Sequence, residues 1–405
     1  MKILFLADFI PPRHIGGPGK RNWEVAVKLA QLGHEVFFIT SCQNKKQEIE
    51  ETREKIRIFN VYSKYSPVLR DYFNIYNPFV LGKIKKIIKQ VKPDVVHADM
   101  VNTHLSYASL SVAKKYASAV FLHARDFMLF NFGKFFQKER VCGAINYRVS
   151  WLDNLKAGRK RFNPFRRLFI RKYIKNADKI FAISQELAEA LAQNGITNVA
   201  VLHNGFPLSA TEPEFGGFEA KTIYLFGRLN EAKGVYALLD AFPLIKEKVP
   251  AAKIILAGAD NYEQKKIKAY ISEKRLPAAD IEVLGWMSGD QATAILKSVS
   301  LVVSPSIYPD PLLAGANFEA ASFKKPIVTT CFGGAKEFVL DGRTGYVVNP
   351  FDIKELAAKI TELLGDKEKA RSFGEAAYQR LQADFSLDEY VKNLLSWYAE
   401  FLKRA

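Results

Sequence analysis

Residues 305–337 read Pro-Ser-Ile-Tyr-Pro-Asp310-Pro-Leu-Leu-Ala-Gly-Ala-Asn-Phe-Glu319, then Lys-Lys-Pro-Ile-Val-Thr-Thr at 324–330, then Gly333-Gly334-Ala-Lys-Glu337. One carboxylate sits in a loop, a second lies about two helical turns further on, and a glycine pair follows the next apolar run. Carboxylates hold polyols through their hydroxyls, and backbone amides at helix starts hold phosphates. Both devices in one stretch suit a sugar joined to a phosphate.

Outward from this stretch, short apolar runs alternate with amphipathic helical patterns in both directions. Strands are expected at 222–226, 253–257, 281–284, 301–303 and 326–330, and in the first half at 2–7, 35–40, 94–97, 119–123, 180–183 and 199–202. Helical spacing marks 20–32, ended by Gly33, and also 80–91, 103–116 and 387–402. Strand–helix alternation implies parallel sheets covered on both faces. Residues 207–220 have no apolar period and are rich in Pro, Gly and acids, which marks a linker. The expected fold class is therefore α/β, with two doubly wound Rossmann-like domains, 1–206 and 221–384, and a C-terminal helix in 385–405 packing toward the first. Such sheets bind ligands beyond the carboxyl ends of their strands, so two domains facing a cleft would hold the site there.

A chain of 405 residues exceeds what one hydrophobic core usually supports, and 48% hydrophobic with 25% charged residues is ordinary for a folded protein. Cys42, Cys142 and Cys331 are scattered, which argues for a reducing compartment and against a disulfide frame or a zinc site. The opening Met-Lys-Ile-Leu-Phe-Leu-Ala-Asp8 has too short an apolar run for a secretory leader and reads as a first strand. No apolar run approaches the roughly 18 residues needed to span a bilayer.

The net charge of +17 predicts an anionic partner. Cations crowd 156–175 without one acid, and Phe162, Phe165, Leu168, Phe169, Tyr173 and Ile174 are interleaved with them. This segment and the lysine-studded helix at 80–91 suggest docking on an anionic membrane surface; the alternative is a solvated helix face. No nucleic-acid recognition module accompanies the charge, so no nucleic acid is expected as a partner.

Gly16-Gly17-Pro18-Gly19 lies between the first strand and the first helix, where glycine lets backbone approach a phosphate. Its spacing fits neither GxGxxG nor a P-loop, and a plain flexible loop is the alternative. Gly227-Arg228-Leu229-Asn230-Glu231-Ala232-Lys233-Gly234 places two cations at a strand-to-helix junction. An Arg fork and a Lys point charge there suit a diphosphate; the alternative is a pair of surface cations. His123 ends a strand, and His97 at the end of a neighbouring one competes with it. Asp310 and Glu319 are the sharpest carboxylate pair, with Glu337 open to the same two readings, ribose ligand or helix-start acid.

In this order and spacing the motifs resemble the retaining, nucleotide-sugar-dependent glycosyltransferases of family 4, with the GT-B fold. The resemblance runs from the early glycine pair through Gly33-His34-Glu35-Val36, His123 with Asp126, Asn204-Gly205, the 227–234 loop, Pro305-Ser306 and Gly333-Gly334 to Glu337. It implies that 1–206 is the acceptor side and 221–384 the nucleotide-sugar side. It implies that Arg228 and Lys233 bind the diphosphate and Glu319 the ribose. Gly16 and Gly17 would lie near the distal phosphate and His123 near the donor sugar. Leu312, Leu313 and Ala314 would meet sugar and phosphate through backbone amides. In the family seven residues separate the first acid, a glutamate, from the second; here eight residues separate Asp310 from Glu319, with Pro311 following Asp310. Asp310 is expected in that catalytic role, with its shorter side chain and longer loop either compensating or altering donor recognition.

The activity implied is transfer of a hexose, with retention, from a nucleotide-diphosphate sugar to a saccharide or lipid-linked acceptor. No cofactor is expected beyond the donor substrate, and no metal, since the sequence holds no Asp-x-Asp pair. A cytoplasmic location, peripheral on the inner membrane face, goes with polysaccharide biosynthesis. The alternatives are an inactive sugar-nucleotide-binding or scaffold protein and a GT-B nucleotide-sugar epimerase.

Overall fold

The computed structural model describes residues 1–12, 17–133, 142–159, 162–309 and 315–404. They form two compact units, one of Met1–Lys134, Asn146–Pro207 and Leu387–Ala405, the other of Phe135–Ile145 and Leu208–Ser386.

The first unit is built on strands β1 (Lys2–Ala7), β2 (Glu35–Cys42), β3 (Glu50–Arg53), β4 (Ile56–Tyr62), β5 (Val95–Asp99), β6 (Ala119–Ala124), β7 (Lys179–Ala182) and β8 (Val199–Val201). Their order is β3-β4-β2-β1-β5-β6-β7-β8, parallel throughout except for β3 against β4. The centre is dry because β1 is apolar on both faces: Ile3, Leu4, Phe5, Leu6 and Ala7 are each at most 1% exposed. The β3–β4 hairpin escapes the sequence reading because β3 is Glu-Glu-Thr-Arg, a charged edge strand with no apolar signal. Its two-residue turn, Glu54 (φ 49°) and Lys55 (φ 64°), is left-handed at both positions without the usual Asn-Gly.

The helix Leu387–Leu402 belongs to this unit. Tyr390, Val391, Leu394 and Tyr398 are buried with Ile3, Phe5 and Phe38 in one apolar cluster. The entry of the helix is fixed by the Leu387 N–H, which donates to the Phe206 carbonyl at 2.8 Å. The expected helix at 103–116 shortens to Ser109–Lys114, because the backbone N–H groups of Thr103, His104 and Leu105 are taken by the Asp8 carboxylate.

The second unit carries β9 (Thr222–Phe226), β10 (Lys253–Ala257), β11 (Ile281–Leu284), β12 (Leu301–Ser304), β13 (Ile327–Thr330) and β14 (Tyr346–Val348). All pair in parallel in the order β11-β10-β9-β12-β13-β14. Counted within the unit this is the doubly wound order 3-2-1-4-5-6. Phe218–Ala220, within the expected linker, forms a single 3-10 turn with Phe218 buried. Lys325 is buried, and its ammonium donates to the carbonyls of Gly216, Lys297 and Val299, clasping the chain that enters β9.

The cysteine pattern is corrected by the fold. Cys142 and Cys331 form a disulfide with a Cα separation of 5.3 Å, and Cys42 is a buried cysteine outside it. The partners are 189 residues apart, so only tertiary structure brings them together.

Candidate active site

In a doubly wound sheet the loops part at the strand where the order reverses. In the second unit that place lies between β9 and β12, and the two expected cations stand in the loop that leaves β9. The root of the loop is rigid. Gly227 (φ 115°) donates its N–H to Ala257 O at 3.1 Å, and the Leu229 N–H donates to Gly258 O at 3.3 Å. A Cβ on Gly258 would lie 1.9 Å from Gly227 O, so only glycine permits this approach. The Leu229 side chain is buried in the core, whereas Arg228 beside it is exposed. Arg228 makes no hydrogen bond or ion pair with any of the described residues.

The loop continues through the 3-10 turn Glu231–Lys233 into the helix Val235–Lys248. Lys233 is half-buried. Gly234 (φ 74°) sits against the chain after β12, where a Cβ would come within 1.9 Å of Pro305 O. The Ile307 N–H donates to Ala232 O at 3.0 Å. The loops after β9 and β12 are therefore stitched backbone to backbone. The Asn230 Oδ1 atom is buried without a hydrogen-bond partner among the described residues.

Glu319 is half-buried on the helix Gly315–Ala321. A polar triangle seats that helix on the sheet. Ser304 Oγ donates to Asn317 Oδ1 at 2.7 Å, Asn317 Nδ2 donates to Thr329 Oγ1 at 3.3 Å, and the two hydroxyl oxygens are 2.9 Å apart. Asn317 and Thr329 are fully buried, and Phe318 packs on Phe338 and Phe385 with ring centroids 4.7 and 5.5 Å away. The charge of Glu319 reaches the middle of β9: burial first, then this carboxylate, pushes the Tyr224 phenol above its ordinary range. The Tyr224 hydroxyl is buried without a partner among the described residues. Beyond β13, Gly333 (φ 69°) turns the chain into the short helix Ala335–Phe338, which carries the half-buried Glu337. Arg380 satisfies the last carbonyls of that helix, donating to Glu337 O and Phe338 O at 3.0 Å each. Asp310, Pro311, Leu312, Leu313 and Ala314 lie outside the described residues, as does Gly16.

The corresponding reversal in the first unit lies between β1 and β5. Gly17 opens the helix Gly17–Gln31 and is exposed. Asp8, directly after β1, is fully buried and accepts the N–H groups of Thr103, His104 and Leu105 at 2.7–2.8 Å. Burial outweighs these hydrogen bonds and raises its carboxyl pKa to about 6. Sequence reading passed over Asp8 as the end of an apolar run, although an acid ending so dry a strand is itself a signal.

His123 is placed inside this unit, with no side-chain exposure. Its Nδ1 lies 3.8 Å from Asp99 Oδ2 and 3.4 Å from the Tyr390 hydroxyl. Arg125 Nε is 2.7 Å from both Asp99 oxygens, Nη1 donates to Asn204 Oδ1 at 2.5 Å, and Nη2 donates to Asn22 Oδ1 at 3.0 Å. His97 Nδ1 is 2.8 Å from the Tyr398 hydroxyl. Burial, then the charges of Arg125 and His97, hold His123 well below the ordinary histidine range, and burial lowers His97 to about 4. His97, Asp99 and His123 bring potential ligand atoms within 4.8 Å of one another. Asp99 is already neutralised by Arg125, so the group reads as an ion-pair network tying strand ends to the last helix rather than as a metal centre.

Two family models tile the chain: "Glycosyltransferase Family 4" matches residues 15–210 and "Glycosyl transferases group 1" matches residues 209–380. The chain is 25% identical to a glycogen synthase of Mycobacterium tuberculosis, over 95% of this chain and 91% of that protein. Among solved structures, sucrose-phosphate synthase from Thermosynechococcus elongatus aligns over all of both chains with a TM-score of 0.77 at 17% identity. Anabaena HepE in complex with UDP aligns over 99% of this chain and 100% of its own, with a TM-score of 0.68 at 20% identity. The sheet order, the loops at its reversal and the matched residues agree: the chain belongs to glycosyltransferase family 4 and has the GT-B fold.

Proposed function

We propose that this glycosyltransferase moves a hexose from a nucleotide-diphosphate sugar to a saccharide or lipid-linked acceptor, with retention and without a divalent metal. The observation that carries the reading is Arg228, exposed and unpartnered among the described residues, on a loop whose root is fixed by Gly227, Leu229 and Gly258. A cation held in readiness at a sheet reversal suits a diphosphate, and Lys233 five residues on adds a second charge. As the glycosidic bond breaks, negative charge grows on the leaving diphosphate, and preorganised cations stabilise that charge most in the transition state. Two cations in this role take the place a metal ion would otherwise fill.

In this reading Glu319 accepts hydrogen bonds from the ribose hydroxyls, next to the unpartnered Tyr224 hydroxyl. Asp310 takes the family's first-acid role toward the donor sugar. Gly16, Gly17 and the amides of Leu312, Leu313 and Ala314 meet phosphate and sugar. His123, enclosed as it is, acts by holding Asp99 and Arg125 in place rather than by touching the donor. Because HepE was crystallised with UDP, uridine donors are the first to test.

Calorimetry with UDP, GDP and ADP sugars tests the reading. A true donor at a hundred times its dissociation constant adds about 2.7 kcal/mol of stability. That gain should be lost in Arg228→Ala. No heat with any of these nucleotides, from folded protein, overturns the proposal. Binding without turnover of labelled donor would leave an inactive sugar-nucleotide-binding protein.

A further inference from the structure

Among its described residues, the basic segment 156–175 is not uniformly a solvated helix face. Three of its arginines serve the fold: Arg166 is 1% exposed and donates to Asn131 O at 3.0 Å, Arg167 donates to Val149 O at 2.9 Å, and Arg171 donates to Asn194 O at 2.6 Å. Ile170 and Ile174 are buried beside Arg166, but other apolar side chains of the segment stand out from the unit. Phe165 and Leu168 are 62% and 65% exposed, flanking the start of the nine-residue helix Arg166–Ile174. On the helix Trp151–Gly158 before it, Trp151 and Leu152 are 57% and 60% exposed, while Asn154 is buried.

A second stretch repeats this inversion. Asp71, Asn74 and Asn77 are buried, whereas Tyr72, Tyr76 and Phe79 stand out in water. The two stretches join into one face. Asn163 Nδ2 donates to Asp71 O at 3.1 Å, the Tyr72 hydroxyl donates to Phe162 O at 3.3 Å, and the Trp151 and Phe162 rings meet edge to face at 5.6 Å. Polar groups packed inward beneath an apolar surface form a face that is complete only when covered.

The occupant is indicated by charge. Lys156, Arg159, Lys172 and Lys175 are exposed among these apolar side chains, and Lys85, Lys86 and Lys89 are exposed on the helix Pro78–Val91 that carries Phe79. Aromatic and leucine side chains mixed with cations match the interfacial zone of a bilayer, where rings sit at headgroup depth and lysines meet lipid phosphates. No helix among the described residues is long and apolar enough to cross a membrane, so the contact is with its surface. We infer that this face of the first unit docks on membranes carrying anionic lipid, with Trp151, Leu152, Phe165 and Leu168 entering the headgroup layer. Docking and donor binding use different residues, so the two readings fail separately.

The test uses the full chain with phosphatidylcholine vesicles and with phosphatidylcholine–phosphatidylglycerol vesicles. The protein should sediment with the anionic vesicles at low salt, and salt should weaken the binding. Brominated acyl chains should quench tryptophan emission, and Trp151→Phe should remove most of that quenching. Phe165→Ser with Leu168→Ser should lower the bound fraction about tenfold, as lost interfacial apolar area requires. Circular dichroism should remain that of the wild type. No sedimentation with anionic vesicles overturns the inference, as does undiminished binding of the double variant. So does a soluble dimer that the double variant dissolves, which would make a second copy the occupant.

Discussion

Arg228 and Lys233 differ in what surrounds them, and so in what replacing them should do. Arg228 is exposed and touches nothing that holds the fold, so Arg228→Ala should leave the melting temperature unchanged. Turnover of labelled donor should fall by about 10²–10³, the range for losing one preorganised charge on a developing anion. Wild-type turnover in that variant removes the residue from the site. Asp8 is the opposite case. Asp8→Asn sets an amide NH₂ against backbone N–H groups now received by carboxylate oxygens, which should cost about 1–3 kcal/mol in urea denaturation. Arg228 was legible in the sequence because a cation just past an apolar strand needs only local context. Asn317 was not, because its partners Ser304 and Thr329 come from two strands, β12 and β13, on either side of its helix in the sequence.

Elements were legible where burial leaves a period. The central strands are unbroken apolar runs, and the helix Leu387–Leu402 shows its stripe in Tyr390, Leu394 and Tyr398. The β3–β4 hairpin was not, because neither its edge strand nor its Glu54-Lys55 turn has the chemistry that usually announces one. That mismatch has a measurable cost. Glu54→Asn with Lys55→Gly should stabilise the chain by about 1 kcal/mol in thermal or urea unfolding, by relieving the left-handed geometry of two ordinary residues. Leu394 is fully buried in the cluster that includes Ile3 and Phe5 of β1, so Leu394→Ala should cost about 2–5 kcal/mol by the same measurement.

At the scale of the whole molecule, three buried histidines among the described residues shape the response to acid. His97 and His104 are held down to about 4 and His123 well below its ordinary value, each chiefly by burial. Unfolded, each takes a proton near 6.5; folded, it does not until far lower. Their contribution is therefore present above pH 6.5 and lost as pH falls toward 4, with His97 alone accounting for up to roughly 3 kcal/mol. Asp8, with its raised pKa, acts in the opposite sense between about 4 and 6 and offsets part of this. The melting temperature should accordingly fall steeply from pH 7 to pH 4, and a flat profile would refute the neutral, enclosed histidines. Reduction should also lower the melting temperature, because the Cys142–Cys331 bridge closes a loop of 189 residues in the unfolded chain.

The helix Leu387–Leu402 follows both sheets in the sequence, yet its side chains belong to the hydrophobic cluster around the first strand. On the ribosome the second unit can close before this helix emerges, but the first has a bare apolar flank until residues 387–402 are made. Completion of the first sheet's core therefore waits for synthesis of the helix, and a nascent chain cut short before 387 exposes Ile3, Phe5 and Phe38 to whatever chaperone is nearest.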